Sequence, residues 1–196
     1  MRGRLVLASA SPRRVELLLE LGVPFDVLPS EEPEAWPPGT PHEAVTALAL
    51  AKCRSVAARL AAPTVVLGAD TAVVLEGEVF GKPESPEDAR RMLRALRGRE
   101  HEVITGVALV EAPWGREAAT HVVTRVLMRG YAEAEIDAYI ASGEPFDKAG
   151  AYAIQGVGGA LVAKVEGCYT NVVGLPLTTT RQLLEKWGII SSPGAS

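Results

Sequence analysis

The chain of 196 residues carries 20 basic and 24 acidic side chains, a net charge of −4, and is 47% hydrophobic and 22% charged. A domain of this size buries roughly 70% of the surface that its unfolded chain exposes, which is enough for a hydrophobic core. The composition therefore excludes a disordered chain for all but the ends. The acidic balance gives no electrostatic footprint for duplex nucleic acid or for an anionic membrane, so any phosphate ligand must meet a local cluster of cations.

Hydrophobic periodicity and turn residues predict alternating strands and helices in the amino-terminal part of the chain. A hydroxyl side chain followed by proline marks two helix starts, because serine and threonine cap helices and proline suits the first helical turn. In chain order these elements are a strand at 5–8, a helix from Ser11 to Gly22, a strand at 25–28, an acidic proline-rich loop at 30–39, a helix from the capping box at Thr40 to about Ala61, and a buried strand at 65–69.

The remainder of the chain continues the alternation. Its predicted elements are strands at 73–75 and 79–80 in a hairpin, a helix from Ser85 to Gly98, strands at 103–110 and 120–128, a helix at 132–142 stopped by Gly143, a strand at 160–165 and a helix at 177–187. The pattern predicts one α/β domain at 1–188, with a mixed central sheet, flanking helices and two lobes, followed by a flexible tail at 189–196.

Residues 9–14, Ser-Ala-Ser-Pro-Arg-Arg, lie between a predicted strand and a predicted helix. A helix N-terminus offers unpaired N–H groups and the positive end of the helix dipole, and arginine binds phosphate through two parallel hydrogen bonds. The segment therefore predicts an oxyanion site. The alternative is an ordinary Ser-Pro cap with two solvated arginines.

Asp70 directly follows the apolar run at 65–69. A carboxylate at the end of a buried strand is costly unless it meets a cation, a metal or hydrogen-bond donors. Ligand sites in open α/β sheets lie outside the carboxyl ends of strands. Asp70 is therefore the first candidate for a metal ligand or general base, and the alternative is a turn-forming aspartate before Thr71.

Lysine is rare in this chain, with 5 residues against 15 arginines, and three of the five lie at Lys52, Lys82 and Lys148. These three are candidate contacts to an anionic ligand, the alternative being ordinary surface lysines. The segment 147–159 is rich in glycine, which permits close backbone approach to a ligand, and its Gln155 can both donate to and accept from a base edge. By itself such a loop is a weak signal, and it does not open a helix as a dinucleotide-binding loop does.

Histidines and cysteines give little functional signal. His42, His101 and His121 are scattered along the sequence, and each is expected to be structural. Two cysteines, Cys53 and Cys168, are too few for a disulfide framework or a four-cysteine zinc site. No apolar stretch reaches the roughly 18 residues that a membrane span needs, and the amino terminus lacks a signal-peptide run, so a cytoplasmic protein is expected.

Together these segments resemble one family, the Maf proteins, nucleoside triphosphate pyrophosphatases also described as septum-formation inhibitors. The matching segments, in chain order, are LASASPRRVELL at 7–18, GADT at 68–71, GKP at 81–83, SGEP at 142–145, DKAG at 147–150 and VGLP at 173–176. The resemblance implies the fold of Maf and inosine triphosphate pyrophosphatases. It also implies hydrolysis of a nucleoside triphosphate to the monophosphate and pyrophosphate with a divalent metal cation, Mg²⁺ or Mn²⁺.

The resemblance assigns roles to particular residues. A double arginine, Asp-Thr and Ile-Gln-Gly mark the branch that acts on dTTP and UTP, so Arg13, Thr71 and Gln155 are implied to discriminate the base or substrate. Asp70 matches the family's proton acceptor and, with Lys82, is the implied catalytic group. The positions implied to hold triphosphate or metal are Ser9, Arg14, Glu34, Lys52, Lys82 and Lys148, with Glu34 and Asp70 as the metal ligands.

In the expected reaction Asp70 deprotonates or orients a water that attacks the α-phosphorus while pyrophosphate leaves. Removal of dTTP, UTP and modified pyrimidine nucleotides would prevent misincorporation, with a link to cell-division arrest implied by the family. Two alternatives stay open: a non-catalytic protein that senses nucleotides or binds a division component, and a pyrophosphatase for inosine or xanthosine triphosphates. The resemblance also implies a homodimer.

Overall fold

A computed structural model describes residues 4–31, 35–113 and 115–191. Its strands are β1 (Arg4–Leu7), β2 (Asp26–Val27), β3 (Thr64–Leu75), β4 (Glu78–Phe80), β5 (Glu100–Ala112), β6 (Glu117–Met128) and β7 (Val162–Glu166). Its α-helices are α1 (Pro12–Leu19), α2 (Pro41–Ala57), α3 (Pro86–Leu96), α4 (Glu133–Ala141), α5 (Tyr169–Val173) and α6 (Leu177–Lys186). Short 3₁₀ turns lie at Glu144–Asp147, Ala149–Ala151 and Val157–Leu161.

Some sequence predictions fall on residues outside this description. They are the predicted metal ligand Glu34, residues 32–34 of the predicted loop and residues 192–196 of the predicted tail. Ile189, at the start of that tail, is buried. Within the described ranges, no helix is long and apolar enough to cross a membrane.

The described strands pair in the order β2-β1-β3-β5-β6-β7, with β4 beside β3. Strand β1 runs parallel to both β2 and β3, with Val6 opposite Val66 in the second pair. Strands β4 and β7 run antiparallel to β3 and β6. The α/β class and the mixed sheet with flanking helices, both predicted from the sequence, are confirmed.

Helix starts follow the local capping signals. At α2 the N–H of Glu43 donates to Thr40 Oγ1 and the N–H of Thr40 donates to Glu43 Oε2, which completes the predicted capping box. At α3 the N–H of Asp88 donates to Ser85 Oγ at 3.1 Å. Helix α2 ends at Ala57, earlier than predicted, because the following turn to Leu60 closes with hydrogen bonds to the third preceding residue instead of the fourth.

The predicted break after Ala69 is wrong. Strand β3 is continuous from Thr64 to Leu75, so Asp70 lies inside a strand and not at its end. The first part of β3 pairs with β1, and residues 73–75 pair with β4. Because pairing on both sides of Asp70 holds the backbone extended, no turn forms there.

Packing divides the domain into two compact units, and β3, β5 and β6 contribute residues to both. Unit 1 comprises 1–70, 105–122 and 174–196, and unit 2 comprises 71–104 and 123–173. In unit 1, α2 packs on the sheet through Ala49, Cys53 and Val56. The core of unit 2 brings together buried side chains of β3, β4, α3 and α4, including Val73, Phe80, Leu93, Ile136 and Tyr139.

Candidate active site

Two glycines let helix α2 lie close against the sheet in unit 1. A Cβ added to Gly68 on β3 would lie 2.8 Å from the carbonyl oxygen of Ala49, and one added to Gly106 on β5 would lie 2.3 Å from that of Val45. Real Cβ atoms essentially never come within 3.0 Å of another heavy atom, so a larger residue at either position would displace the helix. The close approach brings the face of α2 that carries Lys52 against β3.

Lys52 and Asp70 form a buried ion pair. The Lys52 Nζ lies 2.5 Å from Asp70 Oδ1, and the two residues are 8% and 9% exposed. The sequence argument required a cation, a metal or hydrogen-bond donors beside a buried carboxylate at position 70, and this pair supplies a cation. A carboxylate has about four lone-pair sites, so contact with one ammonium leaves Asp70 acceptor capacity for further partners.

The predicted oxyanion segment lies at the start of α1, also in unit 1. Ser9 is buried directly after β1, and its Oγ accepts a hydrogen bond from the N–H of Ser11 at 3.2 Å. Arg14 in the first turn of α1 donates from Nε to the carbonyl oxygen of Gly174 at 2.8 Å. Arg13 and Arg14 are both half-buried. The predicted placement of this segment between a strand and a helix is confirmed, and the anion site itself stays a prediction.

In unit 2, Lys82 and Lys148 lie on segments that touch each other. Lys82 is an exposed residue after β4, and the N–H of Gly150 donates to the carbonyl oxygen of Gly81 at 3.0 Å. Lys148 Nζ donates to the Glu144 carbonyl oxygen at 2.7 Å and lies 2.5 Å from Asp147 Oδ1. Its side chain is only 12% exposed, so the Lys148 ammonium is held in one place.

Sequence reasoning gave no role to Glu144, whose carboxylate organises the glycine-rich segment. It accepts hydrogen bonds from the N–H groups of Val157 and Gly158 and from Tyr139 Oη, all at 3.0–3.1 Å. Partial burial raises the pKa of Glu144, but the hydrogen bonds from Gly158, Val157 and Tyr139 outweigh it and hold the pKa below its ordinary value. Only the SGEP match at 142–145 singled out this position in the sequence.

The remaining predicted site residues of unit 2 are Thr71 and Gln155. Thr71 is half-buried in β3 next to Asp70, and Gln155 is exposed on the glycine-rich segment. The predicted residues are thus distributed between the units. Unit 1 holds Ser9, Arg13, Arg14, Lys52 and Asp70, and unit 2 holds Thr71, Lys82, Lys148 and Gln155.

His101 and Cys53 are buried, as expected of structural residues. His101 is 2% exposed, its Nε2 lies 2.7 Å from Tyr152 Oη, and burial lowers its pKa to about 4. Cys53 is fully buried, and burial raises the pKa of its thiol. The rings of His42 and His121 lie 5.0 Å apart, a proximity that nothing in the sequence indicated.

No three histidine, cysteine, aspartate or glutamate side chains within the described ranges are grouped so that they could hold a metal ion. Magnesium usually binds through one or two carboxylates, several waters and the phosphates of a substrate. The buried carboxylate of Asp70 fits that kind of site, in which most of the ligands come with the bound phosphate.

A segment between a strand and the start of a helix in an α/β domain is typical of proteins that bind phosphorylated ligands. The family model described as "Maf-like protein" matches residues 4–187, and the chain belongs to this family.

Relatives of known name match over nearly their whole length. The chain is 57% identical over 187 residues to a "dTTP/UTP pyrophosphatase" of Moorella thermoacetica, covering 95% of this chain and 96% of the relative. It is 54% identical over 193 residues to a protein of the same name from Anaeromyxobacter sp., covering 96% and 91%. Among solved structures, a HAM1 protein from Coxiella burnetii aligns with 66% of this chain and 74% of its own, at 20% identity and a TM-score of 0.46.

Proposed function

We propose that this protein is a nucleoside triphosphate pyrophosphatase that hydrolyses dTTP and UTP to the monophosphates and pyrophosphate. Relatives with that name are 48–57% identical over nearly the whole chain. The observation that carries the chemistry is the buried Lys52–Asp70 pair, because it fixes the position of one carboxylate in a buried part of the sheet.

In the proposed reaction, Asp70 accepts a proton from a water whose oxygen bonds to the α-phosphorus. The bond between the α-phosphorus and the bridging oxygen breaks, and pyrophosphate leaves with the electron pair. Ser9, Arg14 and the N-terminus of α1 bind phosphate oxygens, and Lys52 orients the Asp70 carboxylate.

Lys82 and Lys148 are proposed as cationic contacts to the triphosphate, with Lys82 also a catalytic group that offsets negative charge in the transition state. A divalent cation held by Asp70 and Glu34, Mg²⁺ or Mn²⁺, would offset phosphate charge. The protein surface can therefore stay acidic overall while the triphosphate is neutralised locally.

Base selection is proposed to rest on Arg13, Thr71 and Gln155. The amide of Gln155 can donate to a carbonyl and accept from an N–H of a pyrimidine ring, so it suits the edge that uracil and thymine share. Gln155 is exposed, so its amide is open to a ligand. Modified pyrimidine nucleotides that keep this edge are further candidate substrates.

The test is pyrophosphate release from a panel of canonical triphosphates, measured with Mg²⁺, with Mn²⁺ and with a chelator. Metal-dependent release concentrated on dTTP and UTP is the expected result. A preference for inosine or xanthosine triphosphate would keep the enzyme class and contradict the substrate. Nucleotide binding without turnover, by protein shown to be folded, would favour a nucleotide-sensing role.

We also propose that the protein acts in the cytoplasm, where these nucleotides are used. We propose further that it forms a homodimer. Light scattering at several protein concentrations measures the mass, which is 20.7 kDa for one chain. A mass that stays at one chain across the range would contradict the dimer without affecting the proposed chemistry.

A further inference from the structure

The segment on both sides of Gln155 is fixed by one hydrogen-bonded pair of side chains, Glu144 and Tyr139. Before Gln155, the N–H of Ala153 donates to Tyr139 Oη at 3.1 Å. After it, the N–H groups of Val157 and Gly158 donate to the Glu144 carboxylate at 3.1 and 3.0 Å. Tyr139 Oη in turn donates to Glu144 Oε1 at 3.0 Å, which joins the two anchors.

The pair is itself firmly placed. Tyr139 is 2% exposed in the core of unit 2, on helix α4. Glu144 lies in the 3₁₀ turn that follows Gly143, and its backbone carbonyl is the acceptor for Lys148 Nζ. Tyr139 is therefore held by the core of unit 2, and Glu144 is held by its hydrogen bonds to Tyr139 and to the backbone of 157–158.

The glycines of this segment have a structural explanation in the same contact. A Cβ at Gly156 would lie 2.8 Å from Glu144 Oε2, and Gly156 has a φ of +77°. A Cβ at Gly158 would lie 2.5 Å from Tyr139 Oη. Glycine is needed here so that the backbone can approach the side chains of Glu144 and Tyr139. The sequence argument had expected the glycines to let the backbone approach a ligand.

We propose that Glu144 and Tyr139 are positioning residues for base selection, which act by holding the backbone that carries Gln155. This rests on the proposed function, in which the Gln155 amide recognises the base. A hydrogen-bonding group rejects the wrong partner strongly only when it cannot move to accommodate it. Loosening either anchor should therefore relax the preference among pyrimidines.

The test is the ratio of kcat/KM for UTP to kcat/KM for CTP. Uracil and cytosine are both single-ring bases. Uracil has a carbonyl where cytosine has an amine, and a glutamine amide can distinguish the two groups. We expect Tyr139→Phe and Glu144→Gln each to lower the ratio about tenfold, with the change mainly in KM for UTP. In Glu144→Gln the new NH₂ must face one of the donors now bound to the carboxylate, so at least one anchor is lost.

Tyr131→Phe is the matched control. Tyr131 is also 2% exposed in the core of unit 2, and its Oη donates to the Leu93 carbonyl oxygen at 2.6 Å, away from the Gln155 segment. It should lower the urea midpoint of unfolding as Tyr139→Phe does, while the UTP:CTP ratio stays at the wild-type value. Because both rates come from one preparation, unfolded protein cancels from the ratio.

Gln155→Ala separates the inference from the proposed function. If Gln155→Ala lowers the ratio and neither anchor variant does, the positioning role is wrong and base selection by Gln155 stands. If none of these variants changes the ratio, both the selection by Gln155 and the positioning role are wrong. If the wild-type protein releases no pyrophosphate from any nucleotide, the proposed function fails and the inference with it.

Discussion

Asp70 exchanges nearly all of its hydration for the ammonium of Lys52 at 2.5 Å. Breaking such a buried pair by removing one partner typically costs about 3–5 kcal/mol, because the other charge is left unpaired. Asp70 is also the proposed general base, so its loss should reduce turnover as well as stability. We expect Asp70→Asn to slow pyrophosphate release from UTP by about 100-fold or more, since a general base typically contributes 10²–10⁴-fold.

Stability and chemistry can be separated for this prediction. Asp137→Asn is the control, since Asp137 is an exposed partner of Arg90 and should leave turnover unchanged. The double variant Lys52→Gln/Asp70→Asn removes both buried charges, so it should fold even if Asp70→Asn does not, and it should be inactive. An Asp70→Asn protein with native circular dichroism and wild-type turnover would show that Asp70 is not the general base.

His101 makes stability depend on pH between about 6.5 and 4. Burial lowers its pKa to about 4 in the folded protein, against roughly 6.5 in an unfolded chain. Between about pH 6.5 and 4, His101 therefore binds a proton in the unfolded state but not in the folded state. The free energy of unfolding falls as the pH falls through this range. Between pH 7 and 4.5 this one group should remove about 2–3 kcal/mol.

Urea unfolding of the wild-type protein and of His101→Gln at both pH values measures this loss. Glutamine keeps a polar group near Tyr152 and does not titrate, so the variant should lose less free energy of unfolding than the wild type on acidification. Carboxylates such as Glu144, whose pKa is lowered in the fold, contribute to the acid loss of both proteins and cancel in the comparison. Equal losses in the two proteins would show that His101 is not the group responsible.

At the scale of elements, the position of helix α2 depends on two glycines under it. We expect Gly106→Ala to destabilise the protein by about 2–3 kcal/mol, the upper range for overpacking, since its Cβ would lie 2.3 Å from the backbone oxygen of Val45. Turnover should fall as well, because α2 carries Lys52. Urea unfolding gives the free energy, and Gly130→Ala, which has open space around the new Cβ, should be within about 0.5 kcal/mol of wild type.

Elements whose signals are local were predictable from the sequence, and those that depend on distant partners were not. Helices α2 and α3 begin where predicted, because Thr40 and Ser85 cap the residues that follow them. The continuity of β3 through Asp70 depends on pairing with β1 on one side and β4 on the other. No pattern within residues 64–75 records those partners.

In the candidate site, too, residue types could be predicted from the sequence, but contacts between distant residues could not. Lys52 and Asp70 were both singled out by residue type and by family resemblance, but their ion pair requires helix α2 to approach β3 through Gly68. Glu144 was noted only as part of the SGEP match at 142–145 and was given no role. Its hydrogen bonds form only when the backbone of 157–158 folds back onto it.

At the scale of the whole molecule, the proposed metal should serve the reaction and not the fold. A cation that binds only the native state raises its stability by RT ln(1 + [M]/Kd), so a resident structural ion would make the melting temperature fall on chelation. A cation that arrives with the triphosphate, bound by Asp70 and by phosphate oxygens, has little affinity for the protein alone. We therefore expect EDTA to abolish pyrophosphate release while the melting temperature changes by less than about 1 °C, since roughly 1 kcal/mol shifts it by several degrees in a domain of this size. Calorimetric scans with EDTA and with Mg²⁺, beside turnover in the same buffers, test this, and a fall of several degrees on chelation would place a metal in the folded protein itself.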